Sequence, residues 1–295
     1  MARCWTWRGR VGRVRCCCGL AVLLFGLAAG AQDQAVAAAP PSFSFAVLSD
    51  PHLSEKASWE AASLGTHVER FLRCFEAMAT LTGLEKPDFA LICGDIHPAE
   101  LQKCLERVAL PLHVVAGNHE GTPQRQVLRE MFKDDFKVAG KPADYYSFVH
   151  KGVRFVALCD AGGGDHVGHL CSEYITPPGQ CEWLEGELAA PEAAKIVFAH
   201  IPPEPTGADR TMCLARNDAR YLKDVLARTP AAALFFGHQH LPTREFDFGG
   251  SRCFVLRSCA WNFKGAPLGF LLVTVNGTTL TTREILTSPA TPPAP

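Results

Sequence analysis

An α/β layered fold is what this chain predicts, on three observations. Apolar runs of strand length alternate with stretches of helical periodicity, and a strand-rich stretch follows them. Five short segments carrying metal-binding residue types each begin where an apolar run stops. They are Asp50-Pro51-His52, Gly94-Asp95, Gly117-Asn118-His119-Glu120, His200 and Gly237-His238-Gln239-His240. In α/β sheets, ligands collect at the carboxyl ends of strands, so loops from five strands can converge on one spot.

The elements follow in order. Residues 43–48 read as a buried strand ending at Ser49-Asp50. Residues 58–82 read as a helix, because Val68, Phe71, Leu72, Phe75, Met78 and Ala79 share one face at i, i+3, i+4, i+7 spacing. Pro87 breaks that pattern and residues 89–93 form a second strand. A shorter helix is expected over about 99–108, and Pro111 introduces a third strand at 112–116. Residues 145–149 and 153–159 flank His150-Lys151-Gly152 and read as a hairpin. Helices are expected at 180–190 and 217–228, and short buried strands at 196–199 and 232–236. From 253 to about 285, strand-like runs alternate with turns such as Asn276-Gly277. The expected domain thus spans 42–286, with a linker at 32–41 and a compositionally disordered tail at 287–295.

The N-terminus has its own character. Arg3, Arg8, Arg10, Arg13 and Arg15 precede a short apolar stretch, about 19–31, that ends in Ala29-Gly30-Ala31. This is the layout of a secretory signal peptide over 1–31, so the protein is expected to be exported, periplasmic or secreted. The stretch is short for a membrane span, which needs roughly 20 residues, and no other spanning segment is expected. Of 13 cysteines, Cys4, Cys16, Cys17 and Cys18 fall in the leader, which leaves an odd number downstream. Cys93 and Cys159 sit in apolar runs as small core residues. Cys171 and Cys181 flank a loop-rich segment and are a candidate disulfide pair, although the spacing does not decide it. The net charge of −1 and the absence of a long basic run after residue 15 give no nucleic-acid-binding signal. Oligomeric state is not written in the sequence.

The donors suit divalent cations, since carboxylate oxygen and imidazole nitrogen bind Mn, Fe, Zn or Co. Asp50 and His52 are two apart past one strand, and His238 and His240 repeat that offset past another. An extended turn would place each pair on one face. One such motif alone means little; five at strand ends mean a site.

The ordered set resembles the calcineurin-like metallophosphoesterase superfamily, whose blocks run D-x-H, G-D, G-N-H-[DE], H and G-H-x-H. All five blocks are present here, and the resemblance covers roughly 42–286. It implies a four-layer α/β/β/α sandwich of two mixed β-sheets flanked by helices. It also implies two divalent ions bridged by Asp95, one held by Asp50, His52 and His240, the other by Asn118, His200 and His238. His119 would be the general acid beside the leaving group. The implied activity is hydrolysis of a small-molecule phosphodiester or phosphomonoester by a metal-bridging hydroxide. Two ions can clamp the attacking and leaving oxygens, and histidine titrates in the right range for acid catalysis. The alternative is a catalytically silent metal-binding or interaction protein on the same fold.

Departures narrow the branch. The second block, Gly94-Asp95-Ile96-His97-Pro98, lacks the Asp-Arg pair of protein phosphatases and the metal-bound tyrosine of purple acid phosphatases. The third block resembles the cyclic-nucleotide and glycerophosphodiester phosphodiesterase branch. His97 can touch substrate or orient Asp95, against the plainer reading of a solvent-facing loop residue. The glycine-rich loop 161–179, with His166 and His169, is expected to wall the substrate pocket. Arg210 and Arg216 are candidates to grip a substrate phosphate, against the plainer reading of exposed charge.

Overall fold

A computed structural model describes residues 41–55, 63–162, 165–204, 211–277 and 279–290. The expected signal peptide, nearly all of the expected linker, Arg210 and residues 291–295 lie outside the described residues. Among the described residues no helix is long and apolar enough to cross a membrane.

The chain runs β1 (Ser42–Ser49), α1 (His67–Ala79), β2 (Pro87–Cys93), α2 (Pro98–Cys104), β3 (Leu112–Val115), α3 (Thr122–Met131), β4 (Lys137–Val138) and β5 (Lys141–Pro142). It continues through β6 (Tyr146–His150), β7 (Val153–Ala157), α4 (Gln180–Leu188), β8 (Ala194–Phe198), α5 (Arg216–Arg228) and β9 (Ala233–Phe236). The last strands are β10 (Arg244–Phe248), β11 (Ser251–Val255), β12 (Gly269–Asn276) and β13 (Thr279–Leu286). One sheet has the order β13-β12-β1-β2-β3 and the other β10-β11-β9-β8-β7-β6. Both are mixed. β1, β2 and β3 are parallel, as are β7, β8, β9 and β11, with antiparallel strands at the edges.

Phenylalanines join the two sheets. Phe45 of β1 meets Phe155 of β7 edge-on at 5.2 Å, and Phe89 of β2 meets Phe155 at 5.2 Å and Phe148 of β6 at 5.7 Å. Tyr146 donates its hydroxyl across the core to the Val114 carbonyl at 2.8 Å. The period of two then sorts the second sheet. Phe155, Phe198 and Phe235 join the inter-sheet core, while Val156, Val197, Leu234 and Phe236 pack with α4 and α5 on the other face. Helices α1–α3 form the remaining layer, so the four-layer sandwich implied by the resemblance is the fold observed.

Boundaries differ from expectation where caps decide them. α1 begins at His67 because Thr66 and Glu69 form a reciprocal capping box. α2 ends at Cys104 and tightens into a 3₁₀ turn over Leu105–Arg107. α3, β4, β5 and β10 are absent from the sequence expectations. α3 buries only Arg125 and Leu128, too thin a stripe for periodicity to reveal, although Pro123 in its first turn is a start signal. Thr287 and Ser288, placed in the expected tail, still pair with Leu268. Cys171 and Cys181 form a disulfide, and the other described cysteines are buried outside any disulfide.

Phe155 is fully buried against four aromatic rings. Phe155→Ala is expected to lower unfolding free energy by about 3–5 kcal/mol in a urea titration. A loss below about 1 kcal/mol would show that the sheets do not depend on this cluster.

Candidate metal centre

The parallel strands of both sheets end on the same side of the sandwich, and the turns after β1, β2, β3, β8 and β9 meet there. Backbone hydrogen bonds brace them against one another. His52 N–H donates to the Asp95 carbonyl (2.8 Å), Gly237 to His200 (2.9 Å), Cys259 to Ser49 (3.0 Å) and Phe263 to His240 (2.9 Å). The Glu120 carboxylate accepts from the N–H groups of Ile96, His97 and Gly117 at 2.9–3.0 Å. The Asp160 carboxylate likewise accepts from His200 and Ile201.

The turns are tight enough to force unusual backbone. Asp50, His52, Asp95, His97, His238 and His240 all have positive φ, between 40° and 71°. Such residues cost about 1–3 kcal/mol each and persist where surrounding structure imposes them, typically at functional sites. Glycine supplies the clearance. A Cβ on Gly94 would strike the His200 ring, and one on Gly237 would strike Ser49 and Asp50.

Among the described residues three donor groups result: Asp50, His52, Asp95 and His240; Asp95, His200 and His238; and, at the more exposed rim, His52, His97 and His119. Asp95 belongs to both of the groups that carry a carboxylate. In the first, His52 Nε2 lies 3.4 Å from Asp95 Oδ2, and His240 Nε2 lies 3.3 Å from Asp50 Oδ1. In the second, His200 Nε2 is 3.3 Å from Asp95 Oδ2 and 3.0 Å from Asn118 Oδ1. His119 stands at the rim. Its ring is half exposed with Nε2 3.9 Å from Asp95 Oδ2, and its backbone N–H donates to Asp95 Oδ1 at 3.0 Å.

The ring tautomers decide what this cluster can hold. The far nitrogens of His200, His238 and His240 each face a backbone carbonyl, that of Cys93, His166 and Trp261 respectively, at 2.7–3.1 Å. A carbonyl accepts, so those nitrogens carry the hydrogens and the near nitrogens turn lone pairs inward. His238 Nδ1 and His200 Nε2 then face each other at 3.2 Å, and His52 Nε2 and His240 Nε2 at 3.1 Å. Lone pairs as close as those of His200 and His238, beside two buried carboxylates, are held together by positive charge between them, a proton or a metal ion. The donor set fits two divalent cations sharing Asp95.

The sequence pattern that defines the calcineurin-like phosphoesterases matches residues 43–242. The chain belongs to the calcineurin-like phosphoesterase family. A Rhodococcus erythropolis protein described as a probable cyclic nucleotide phosphodiesterase is 27% identical over 209 residues, which cover 66% of this chain and 64% of that protein. The chain therefore spans less than two thirds of that relative. The crystal structure of a dimetal phosphatase from Danio rerio superposes with a TM-score of 0.57 at 17% identity, covering 84% of this chain and 98% of that one. GAP50, the anchor in the inner membrane complex of Plasmodium, superposes at 0.55 with 13% identity over 85% and 86% of the two chains. Both likenesses concern the fold.

In this calcineurin-like phosphoesterase all seven expected ligands come together, with His119 beside them. His97 lies on the rim, its ring 6.0 Å from His52 and 6.1 Å from His119. Arg216 does not join the site; it lines a separate cleft with Arg220, Lys223 and Phe248. His166 lines the site cavity, whereas His169 Nδ1 faces Asp218 at 3.5 Å. The 161–179 loop does supply a wall, through His166. Asp160, Trp261 and Phe263 are neighbours that sequence reasoning missed, and Glu120, named in the third block, has a bracing role it did not foresee. Asp160 carried a usable signal, an acidic residue just past an apolar strand run.

Charge follows the geometry. Burial alone would raise the pKa of Asp50, but His240 and then His200 bring it down to about 2. Burial likewise opposes ionisation of Asp95, and His200 and His52 hold it well below the carboxylate range. Burial pushes His52 and His238 down to about 3. At His200 burial is overridden by the Asp95 carboxylate, which lifts the imidazole to about 10. His240 is raised despite burial by Asp50. A proton and a metal ion therefore compete for His200.

The sign of the pH dependence follows. Below pH 10 His200 must lose a proton to bind metal, while His52 and His238 are already neutral near pH 7. Calorimetric titration of Zn²⁺ into metal-stripped protein at pH 7, in two buffers of different ionisation heat, should show one to two protons released, the second from His240. Apparent affinity should rise about tenfold or more per pH unit from pH 6 to 8. A pH-independent affinity would overturn this assignment.

Proposed function

We propose that this protein is an exported, metal-dependent phosphoester hydrolase acting on a small-molecule phosphodiester or phosphomonoester, with His119 as general acid. The observation that carries the reading is His119 itself. Its ring stands half exposed at the mouth of a cavity of about 240 Å³ floored by His52, Asp95, Asn118, His238 and His240. Its backbone is tied to Asp95, so the ring is held at a fixed offset from the ligands without being one of them.

Two divalent ions would be held by Asp50, His52, Asp95 and His240 on one side and Asp95, Asn118, His200 and His238 on the other. When bound, they supply Lewis acidity and positive charge for the phosphoryl oxygens. The chain's own residues do the rest. The His119 imidazole donates a proton to the departing alkoxide oxygen, and the braced turns hold the ligands in place before substrate arrives. The likeness to the Rhodococcus protein supports a diester substrate. A lost ligand or a lost acid would be the signature of a silent binding role, and all seven ligands and His119 are in place. Export rests on the Arg-rich, then apolar, leader of residues 1–31. The Cys171–Cys181 disulfide suits an oxidising compartment.

The deciding experiment is hydrolysis of bis(p-nitrophenyl) phosphate and p-nitrophenyl phosphate by metal-stripped protein, before and after adding Mn²⁺. Metal-restored turnover supports the reading, and the preferred ester separates diesterase from monoesterase. No turnover with two ions bound would sink it. His119→Ala should keep both ions and lose about 10²–10⁴-fold in kcat on alkyl esters, with a much smaller loss on nitrophenyl esters. Equal losses on both would remove His119 from the acid role.

A further inference from the structure

We infer that the metal-centre cavity carries a built subsite for a flat aromatic ring on the substrate, formed by Trp261 and Phe263. This deepens the phosphoester reading and rests on it, since it names a chemical class for one alcohol arm of that ester.

Both residues belong to the segment between β11 and β12, and both line the cavity with the metal-binding histidines. The Trp261 ring stacks on His240 at 3.8 Å with planes 25° apart. Phe263 stands nearly perpendicular to Trp261, at 5.1 Å and 87°. Together they make a corner in which a third ring can lie face-on to one side chain and edge-on to the other. Those are the two arrangements aromatic pairs prefer. Met212 and His166 also line the cavity.

Phe263 is 45% exposed, one of few large apolar side chains so exposed among the described residues. Its segment is not a loose loop. Ser258 Oγ donates to the Asp50 carbonyl and accepts from the N–H groups of Ala260 and Trp261. Asn262 bonds Ser258 through both side-chain atoms and also Pro267, and Arg70 donates to the Ala260 carbonyl. Phe263 N–H is bonded to His240. An aromatic face kept in water on a braced segment at a cavity mouth is a preorganised contact, because little ordering entropy remains to be lost on binding.

The shared chemistry is a planar ring, and it can come from an aryl group or a nucleobase. Binding to Mn²⁺-loaded full-length protein would be measured by calorimetry for two matched, non-hydrolysable pairs, benzylphosphonate against cyclohexylmethylphosphonate, and the methylenephosphonate analogues of adenosine 5′-monophosphate and of ribose 5-phosphate. The aromatic member of at least one pair should bind roughly three- to tenfold tighter, the size of one stacking contact. Preference in the first pair alone indicates an aryl arm, and in the second alone a nucleobase. Phe263→Leu should erase the preference with an unchanged thermal midpoint, and Phe263→Tyr should restore it. Equal affinities within both pairs, or a preference surviving in Phe263→Leu, would overturn the subsite and leave the phosphoester reading standing. Failure of all four probes to bind, with no ester hydrolysed, would overturn both.

Discussion

Asp50 and Asp95 are buried carboxylates set within reach of one another and of four imidazoles, and the rest of the fold can be understood as the means of keeping them there. Lone pairs and like charges at such separations repel in a medium that screens poorly. They stay together because the backbone around them is bonded from turn to turn. Three N–H groups converge on Glu120, two on Asp160 and that of His119 on Asp95, so no single turn can relax alone. The sandwich supplies the platform: parallel strands in both sheets deliver their carboxyl ends to one edge.

Six positive-φ residues and the glycines between them show the same constraint in the backbone. Sharp turns bring ligand atoms from distant strands into one small volume, and the strain they store is opposed by the aromatic core beneath. Stability and site geometry are thus separate properties of this chain. The phenylalanine layer holds the sheets, and the polar bracing holds the ligands.

How much is legible in sequence divides along the same line. Asp50, His52, Asp95, Asn118, His119, His200, His238 and His240 can be read because strand ends and donor types are local patterns. Glu120 lies inside a readable block, yet its task is to grip N–H groups 23 and 24 residues away, which no local pattern encodes. Asp160 reaches 40 residues to His200 for the same reason. Helix α3 is hidden by its thin buried stripe. Arg216 follows the plainer reading of exposed charge: a cation close in sequence to His200 need not be close in space, and α5 carries it to another cleft.

Trp261 joins the two roles of the site. Its carbonyl accepts from His240 Nδ1 at 2.7 Å and so fixes which nitrogen His240 turns toward Asp50. Its ring covers the same histidine and faces the cavity. Ligand orientation and substrate contact therefore pass through one residue. Changes to the ring at 261 will also move the backbone that orients the metal ligand. Phe263 bonds His240 through its own N–H, and its ring meets the Trp261 ring at 5.1 Å and the His240 ring only at 6.3 Å, so it can vary with less disturbance to the donors than Trp261 can. Substrate preference on this scaffold is accordingly freer to diverge at 263 than at 261, since only the first position separates the chemistry of recognition from that of metal binding.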